Sequence, residues 1–317
     1  MATAVQTQAA TREALGPTLI KLREQGLDIA VVDGDLGVST TARLFGNRFP
    51  ERFFTLGPAE QNMIGVAAGL AAAGKIAFAS TFAVFMPGRC FDQIRVSVAQ
   101  PNLNVKLVAS HGGLSVGEDG ISAQAIEDLS LMSSLLNFRV IVPADVVEAA
   151  QAIEVAATTD GPFYIRTGRP RIPVIYDESY RFELGRAHRL REGGQATIIA
   201  TGILVKAALD AASTLASKGT ECRVLNMATL RPLDREAIVA AARETGAIVT
   251  AEEHLVHTGL GGQVAQVLAE EMPAPMEFVG MKDRYAESGR WDLLMEKYGL
   301  TASEIVGAVR RVVGRKG

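Results

Sequence analysis

Residues 110–120 form the segment whose residue types point most directly to chemistry. His111 follows an apolar run that is typical of a buried strand, and four glycines share the loop after it: Gly112, Gly113, Gly117 and Gly120. Glycine costs backbone entropy on folding, so such a loop is favoured where the backbone must approach a ligand closely. The segment therefore predicts a binding site but does not identify the ligand.

A second candidate is Glu60, which follows Gly57-Pro58 and begins an Ala- and Gly-rich helical segment. The helix dipole alone favours a carboxylate in a first turn, so a purely structural role is an open alternative. The neighbouring Met63 and Ile64 favour burial, and a buried carboxyl group tends to hold or share its proton. Glu60 is therefore a candidate for proton transfer.

Two further groups of candidates follow predicted strands. Phe82 and Phe85 could form a flat wall for a bound ring, although a place in the hydrophobic core is the default explanation for such residues. Arg166 leaves a strand end, and arginine is the preferred partner of phosphate and carboxylate groups. A solvated surface arginine is its structural alternative.

These candidates lie at the ends of short apolar runs that alternate with helical segments. Strands are predicted at 28–33, 76–78, 105–109, 140–142 and 163–166, and helices at 11–24, 60–73, 124–135 and 146–158. The alternation resumes near residue 197 and is typical of parallel sheets covered on both faces. The sequence thus predicts an α/β protein with two doubly wound domains, residues 1–175 and 191–317, and a linker at 176–190. Ligands of such sheets bind at the carboxyl ends of the strands.

Composition excludes several functional classes. Apolar residues make up 48% and charged residues 21%, which excludes wholesale disorder. The net charge of −3 gives no basic surplus, so neither a nucleic acid nor a membrane is predicted as a partner. Two cysteines cannot form a disulfide framework, and residues 1–16 do not resemble a signal peptide. We therefore expect a cytoplasmic protein.

One pattern resembles a metal site and is rejected. Gly34-Asp35-Leu36 followed by Asn62 is similar to the Gly-Asp-Gly…Asn pattern with which some enzymes hold a metal-bound diphosphate. Leu36 replaces the last glycine, and Asn62 lies in a predicted helix start. We predict no metal site in this chain.

Taken together, five segments resemble the C-terminal half of a transketolase, with its pyrimidine-binding domain followed by its C-terminal domain. They are residues 33–39, 57–68, 81–85, 110–124 and 252–262, and the resemblance covers nearly the whole chain. A full-length transketolase also has a preceding diphosphate-binding domain with the metal motif. The sequence therefore resembles the C-terminal subunit of a split, thiamine-diphosphate-dependent transketolase.

This resemblance implies a cofactor and partners. Thiamine diphosphate would lie between chains, with Mg²⁺ or a similar divalent ion held by an N-terminal subunit that carries the diphosphate-binding domain. The implied assembly is an α2β2 heterotetramer. The implied reaction moves a two-carbon ketol unit from a ketose phosphate to an aldose acceptor.

The resemblance also assigns roles to residues. Glu60 matches the catalytic glutamate that contacts a ring nitrogen of the aminopyrimidine, and the remaining cofactor-binding positions are Asp35, Phe82 and Phe85. His111 matches a catalytic and substrate-binding position. The other implied substrate-binding residues are Arg12, Ser39 and Arg166 for the phosphate and Asp119 for a donor hydroxyl.

Two positions depart from the family pattern. Ala123 stands where the family usually has a histidine, and Gly88 stands where an aromatic residue often completes the pyrimidine wall. Loss of an imidazole donor costs about 1–3 kcal/mol if its partner stays unpaired. The partner chain could compensate, or the substrate could differ from the usual pentose phosphates.

Three other interpretations remain open on the sequence. The β subunit of a 2-oxo acid dehydrogenase shares the two-domain layout and the glutamate, and a fragment similar to deoxyxylulose-phosphate synthase is a related alternative. The loop at 111–120 and the positions of Arg12 and Arg166 favour ketol transfer. A third alternative, from another functional class, is a non-catalytic assembly partner.

Overall fold

The computed structural model describes residues 7–316, so residues 1–6 and 317 of the two predicted domains lie outside the described residues. In the N-terminal part the strands are β1 (Gln8–Ala9), β2 (Ile29–Asp33), β3 (Phe53–Thr55), β4 (Ile76–Phe82), β5 (Val105–Ser110), β6 (Arg139–Ile141), β7 (Phe163–Arg166) and β8 (Ile172–Pro173). The α-helices are α1 (Leu15–Glu24), α2 (Gly37–Thr40), α3 (Ala42–Arg48), α4 (Glu60–Ala72), α5 (Met86–Gln93), α6 (Asp128–Ser134) and α7 (Val146–Thr158).

The C-terminal part repeats the alternation on a smaller scale. Its strands are β9 (His188–Arg191), β10 (Ala196–Ala200), β11 (Cys222–Asn226), β12 (Thr229–Arg231), β13 (Ile248–Leu255) and β14 (Met276–Met281). Its helices are α8 (Leu204–Ala216), α9 (Arg235–Thr245), α10 (Leu260–Glu271), α11 (Trp291–Lys297) and α12 (Ala302–Val313).

Two sheets organise the fold. The first has the order β12-β6-β7-β5-β4-β2-β3, and all its neighbours are parallel except the edge strand β12. The second has the order β14-β13-β10-β11-β9, in which only the edge strand β9 is antiparallel. Parallel strands buried on both faces give continuous apolar runs, which is why the sequence shows them. The predicted α/β class with two wound sheets is confirmed.

Helix α4 shows how the sequence places a functional side chain. Its buried positions are Glu60, Met63, Ile64, Ala67, Ala68 and Ala71. The i, i+3, i+4, i+7 spacing defines one helical face that packs on the sheet. Glu60 begins that face, so the amphipathic pattern itself directs its carboxylate inward.

A buried polar cluster joins the two parts of the chain. Glu148 of α7 accepts hydrogen bonds from the Tyr180 hydroxyl at 2.5 Å and from Asn226 Nδ2 at 2.9 Å. Burial raises the pKa of Glu148 to about 7. Tyr176 stacks on Tyr180 with ring centroids 3.7 Å apart. Tyr176 and Tyr180, which lie in the predicted linker, therefore pack in the interface between the N-terminal and C-terminal parts.

Several boundaries differ from the sequence prediction. The helix predicted at 11–24 begins as a 3₁₀ turn, Thr11–Ala14, and the helix predicted at 124–135 begins only at Asp128. The strand predicted at 76–78 continues to Phe82 because its following residues are also buried and β-bonded to β5. Among residues 7–316, no helix has the length and apolarity needed to cross a membrane.

Candidate active site

Most of the candidate residues lie at the carboxyl ends of neighbouring strands of the first sheet. Asp35 follows β2, Phe82 ends β4 and His111 follows β5. Phe82 pairs in register with Ser110, which brings the last residue of β4 beside the loop that begins at His111. This edge is where open parallel sheets bind their ligands.

His111 is held in a constrained and neutral state. Its backbone has φ +59°, and its Nδ1 is 2.6 Å from the Ser110 hydroxyl oxygen. The imidazole stacks on the Phe82 ring with centroids 3.8 Å apart. Burial, together with the positive charges of Arg12 and Arg169, lowers the pKa of His111 to about 3. The ring therefore offers a neutral hydrogen-bonding group at physiological pH.

Arg12 extends toward the same edge from the 3₁₀ turn before α1. Its Nη1 donates to the carbonyl oxygen of Ser39 at 2.6 Å, which ties this turn to the short helix α2. The preceding Thr11 hydroxyl oxygen accepts a hydrogen bond from the Gly168 amide at 2.6 Å, which brings Arg12 near the loop after β7. Burial and the charge of Arg169 lower the pKa of Arg12.

Arg169 belongs to the same group of side chains, although the sequence does not predict it as a binding residue. Its Nη1 donates to the Val116 carbonyl oxygen at 2.5 Å and lies 3.6 Å from Asp119. Its side chain is 35% exposed, so part of the guanidinium remains open to solvent. The signal that could have found Arg169 is its place beyond the end of β7, in a loop at the ligand-binding edge.

Arg166 is placed differently from the sequence expectation. Its side chain is only 4% exposed and pairs with Asp128 at 3.1 Å. Its Nη2 donates to the carbonyl oxygens of Ala125 at 2.6 Å and Glu253 at 3.0 Å. Because Arg166 is the last residue of a fully buried strand, its guanidinium is directed into the protein. The structure therefore places the Arg166 guanidinium against Asp128 and backbone carbonyl oxygens, with its side chain packed on Gly112 of the His111 loop.

Contacts within the protein explain why Gly112 and Gly113 of the His111 loop lack side chains. A Cβ at Gly112 would overlap the Arg166 side chain, and one at Gly113, where φ is +81°, would overlap the Glu253 carboxyl group. The Ser115 amide donates a hydrogen bond to Glu253 Oε1. The close approach is thus to side chains of this chain, including one from the C-terminal part.

A second group of side chains surrounds Glu60. The carboxylate is 4% exposed and lies 3.0 Å from Nη1 of Arg89. The Arg89 guanidinium in turn lies 4.0 Å from the centroid of the Phe85 ring. Phe85 is half-buried, whereas Phe82 is buried against His111. A half-open aromatic face beside a buried carboxylate suits a flat heterocycle with a basic ring nitrogen.

The remaining expected positions have simple surroundings. Asp35 is exposed and has φ +66°, and Asp119 is exposed beside Arg169. Ala123 is buried, and a Cβ at Gly88 would meet nothing within 4 Å. Across residues 7–316, no group of three or more His, Cys, Asp or Glu side chains is arranged to hold a metal ion.

Comparisons with known proteins identify the fold and its relatives. The family model described as the transketolase pyrimidine-binding domain matches residues 7–174, and that of the transketolase C-terminal domain matches residues 185–305. The chain is 43% identical to a 6-deoxy-6-sulfo-D-fructose transketolase subunit from Clostridium sp., over 94% of this chain and 92% of that one. It is 36% identical to human transketolase over 98% of its own length but only 50% of the human protein.

A solved structure gives the same answer. A split gene transketolase, described as an inactive beta4 tetramer, superposes with a TM-score of 0.91 at 50% sequence identity. The match covers 97% of this chain and 99% of that one. The resemblance to the C-terminal subunit of a split transketolase is confirmed, and the chain belongs to the transketolase family.

Proposed function

We propose that this chain is one subunit of a split transketolase and moves a two-carbon ketol unit from a ketose phosphate to an aldose acceptor when joined to its partner. One observation carries the proposal. A buried carboxylate beside an aromatic face, at Glu60 and Phe85, shares a sheet edge with the arginines that surround His111. The first pair suits a cofactor ring, and the second group suits an anionic substrate.

In this proposal thiamine diphosphate supplies a nucleophilic carbon and an electron sink when it is bound. Glu60 holds or moves a proton at a ring nitrogen, and its burial excludes water from that exchange. Phe85, which stacks on Phe82 with ring centroids 6.0 Å apart, would pack against the ring, and Asp35 would also contact the cofactor. Two observations support the fit: the Phe85 ring is half-buried, and the Glu60 carboxylate points into the protein.

The substrate anion would be held by Arg12, Ser39, His111 and Arg169. We assign the anion to Arg169 rather than to Arg166, because Arg166 pairs with Asp128 and with a backbone carbonyl oxygen. Two guanidinium groups favour a doubly charged phosphate, and neutral His111 adds a hydrogen bond without charge. His111 would also contact the reacting part of the substrate, and Asp119 would contact a donor hydroxyl.

The proposed assembly is an α2β2 heterotetramer with an N-terminal subunit that holds the diphosphate and Mg²⁺ or a similar ion. It is supported by the similarity of this chain, over 97% of its length, to a split gene transketolase. The related beta4 tetramer is described as inactive, which agrees with a need for the partner. The two cysteines are free and buried, which suits a cytoplasmic protein.

The test uses this chain reconstituted with an N-terminal subunit that carries the Gly-Asp-Gly…Asn motif. Glu60→Gln should lower ketol transfer by roughly 10²–10⁴-fold, because proton transfer at the ring is lost. Glu154→Gln changes a half-buried carboxylate on α7 and serves as the matched control. Unchanged activity of Glu60→Gln would identify a non-catalytic assembly partner instead. Activity with 2-oxo acids in place of ketose phosphates would identify the dehydrogenase alternative.

A further inference from the structure

Arg89 occupies the position between the two groups that would bind the pyrimidine ring. Its Nη1 lies 3.0 and 3.1 Å from the two carboxylate oxygens of Glu60. Its guanidinium carbon lies 4.0 Å from the centroid of the Phe85 ring. Within the described part of the chain, the Glu60 carboxylate accepts side-chain hydrogen bonds from Arg89 alone. Arg89 thus makes both contacts expected of a bound ring.

A guanidinium and a protonated aminopyrimidine share the chemistry that this place recognises. Both are flat, positively charged and able to donate to a carboxylate while lying on an aromatic face. They cannot occupy the same face of Phe85 and the same oxygens of Glu60 together. We propose that the Arg89 side chain occupies the place of the cofactor ring while the cofactor is absent, and that it leaves Glu60 when the ring binds. This inference rests on the proposed function.

The segment around Arg89 has the features needed for such a displacement. The side chain is 50% exposed, so solvent can take up the released guanidinium. Gly88 carries no side chain that would have to move, and a Cβ there would meet nothing within 4 Å. The helix is interrupted at Cys90, with φ −132° and ψ 29°, and continues as a π-helix over Ile94–Ala99. π-Helical turns next to α-helices are frequent at functional sites.

The contact also explains how Glu60 is tolerated before the cofactor arrives. A buried carboxylate without a partner is costly, and one hydrogen-bonded cation offsets that cost. Arg89 therefore stabilises the unloaded chain and competes with the ring for the same carboxylate. Loading would exchange one cationic partner of Glu60 for another.

The experiment measures binding of thiamine diphosphate with Mg²⁺ to the reconstituted pair by titration calorimetry. Arg89→Ala should lower the dissociation constant roughly tenfold, because the competing ion pair and ring contact are removed. Arg89→Lys keeps the charge without the planar face and should give an intermediate value. Arg95→Ala is the matched control, because Arg95 is similarly exposed (52%) and, among the residues that the structure describes, forms an ion pair only with Asp92, at 3.9 Å.

The outcomes separate this inference from the proposed function. Weaker binding by the folded Arg89→Ala protein, or binding equal to that of wild type, would show that Arg89 does not compete, and would overturn the inference. Thermal melts of both Arg89 variants establish that they are folded, and Arg89→Lys gives the same test if the alanine variant unfolds. Absence of thiamine diphosphate binding by the wild-type pair would overturn the proposed function, and the inference with it.

Discussion

Arg166 and Arg169 lie three residues apart, but their substitution should affect different properties. We expect Arg166 to matter for stability and Arg169 for substrate binding. Arg166 is 4% exposed and pairs with Asp128, which is 1% exposed. Removal of one partner from a buried ion pair costs about 3–5 kcal/mol. For a chain of 317 residues that corresponds to a fall in melting temperature of about 4–8 °C. Arg166→Ala should therefore act on stability.

Arg169→Ala should act on substrate binding. Loss of a charge-assisted hydrogen bond to a phosphate is worth about 1.5–3 kcal/mol, or roughly 10–150-fold in KM. The Arg169 pairs with Asp119 and Glu118 are partly exposed, so their loss should cost only about 1 kcal/mol or less of stability.

The assay compares a phosphorylated ketose donor with the same ketose lacking phosphate, on the reconstituted pair, alongside thermal melts of each variant. Arg169→Ala should raise KM only for the phosphorylated donor. The reasoning would be refuted if Arg166→Ala raised that KM at unchanged melting temperature while Arg169→Ala left it unaltered. That result would indicate that Arg166, as the sequence predicts, binds the substrate phosphate.

Three further predictions concern stability. Gly113→Ala should destabilise the protein by about 3 kcal/mol in denaturant unfolding, because its φ is +81° and the new Cβ meets Glu253. Burial lowers the pKa of His254 to about 4, so this group binds a proton more readily in the unfolded chain. Its contribution to stability is complete above pH 6.5 and falls by about 3 kcal/mol towards pH 4, and His254→Gln should flatten that part of a pH series. Tyr180→Phe removes a donor to Glu148 and should lower stability by about 1–2 kcal/mol, measured by thermal melts.

The sequence was sufficient for the long, regular elements of the fold. The buried runs at β2, β5 and β7 and the Ala-rich helices α4 and α7 have clear patterns, and the sequence predicts them with small boundary errors. The edge strands β3 and β12 are not predicted, because each is short and lacks the continuous buried apolar run that marks a central strand. Their pairing is decided by sheet edges formed from distant parts of the chain.

The candidate site was predictable to a different degree. Local pattern placed Glu60 on a buried helix face and His111 at a strand end, and both positions agree with the structure. Which arginine faces that edge could not be read from spacing, because Arg166 is withdrawn by Asp128, 38 residues earlier in the chain. The role of the loop glycines also depended on Glu253, which is brought there only by tertiary packing.

Strand β12 has a consequence for the autonomy of the two halves. It comes from the C-terminal part, yet Thr229 and Arg231 pair with β6 at the margin of the N-terminal sheet. A fragment cut in the linker would strip that margin of its cover and leave unpaired amide and carbonyl groups ready to bind another chain. The C-terminal part therefore contributes an edge strand to the N-terminal sheet, and we expect neither half to fold correctly when separated from the other.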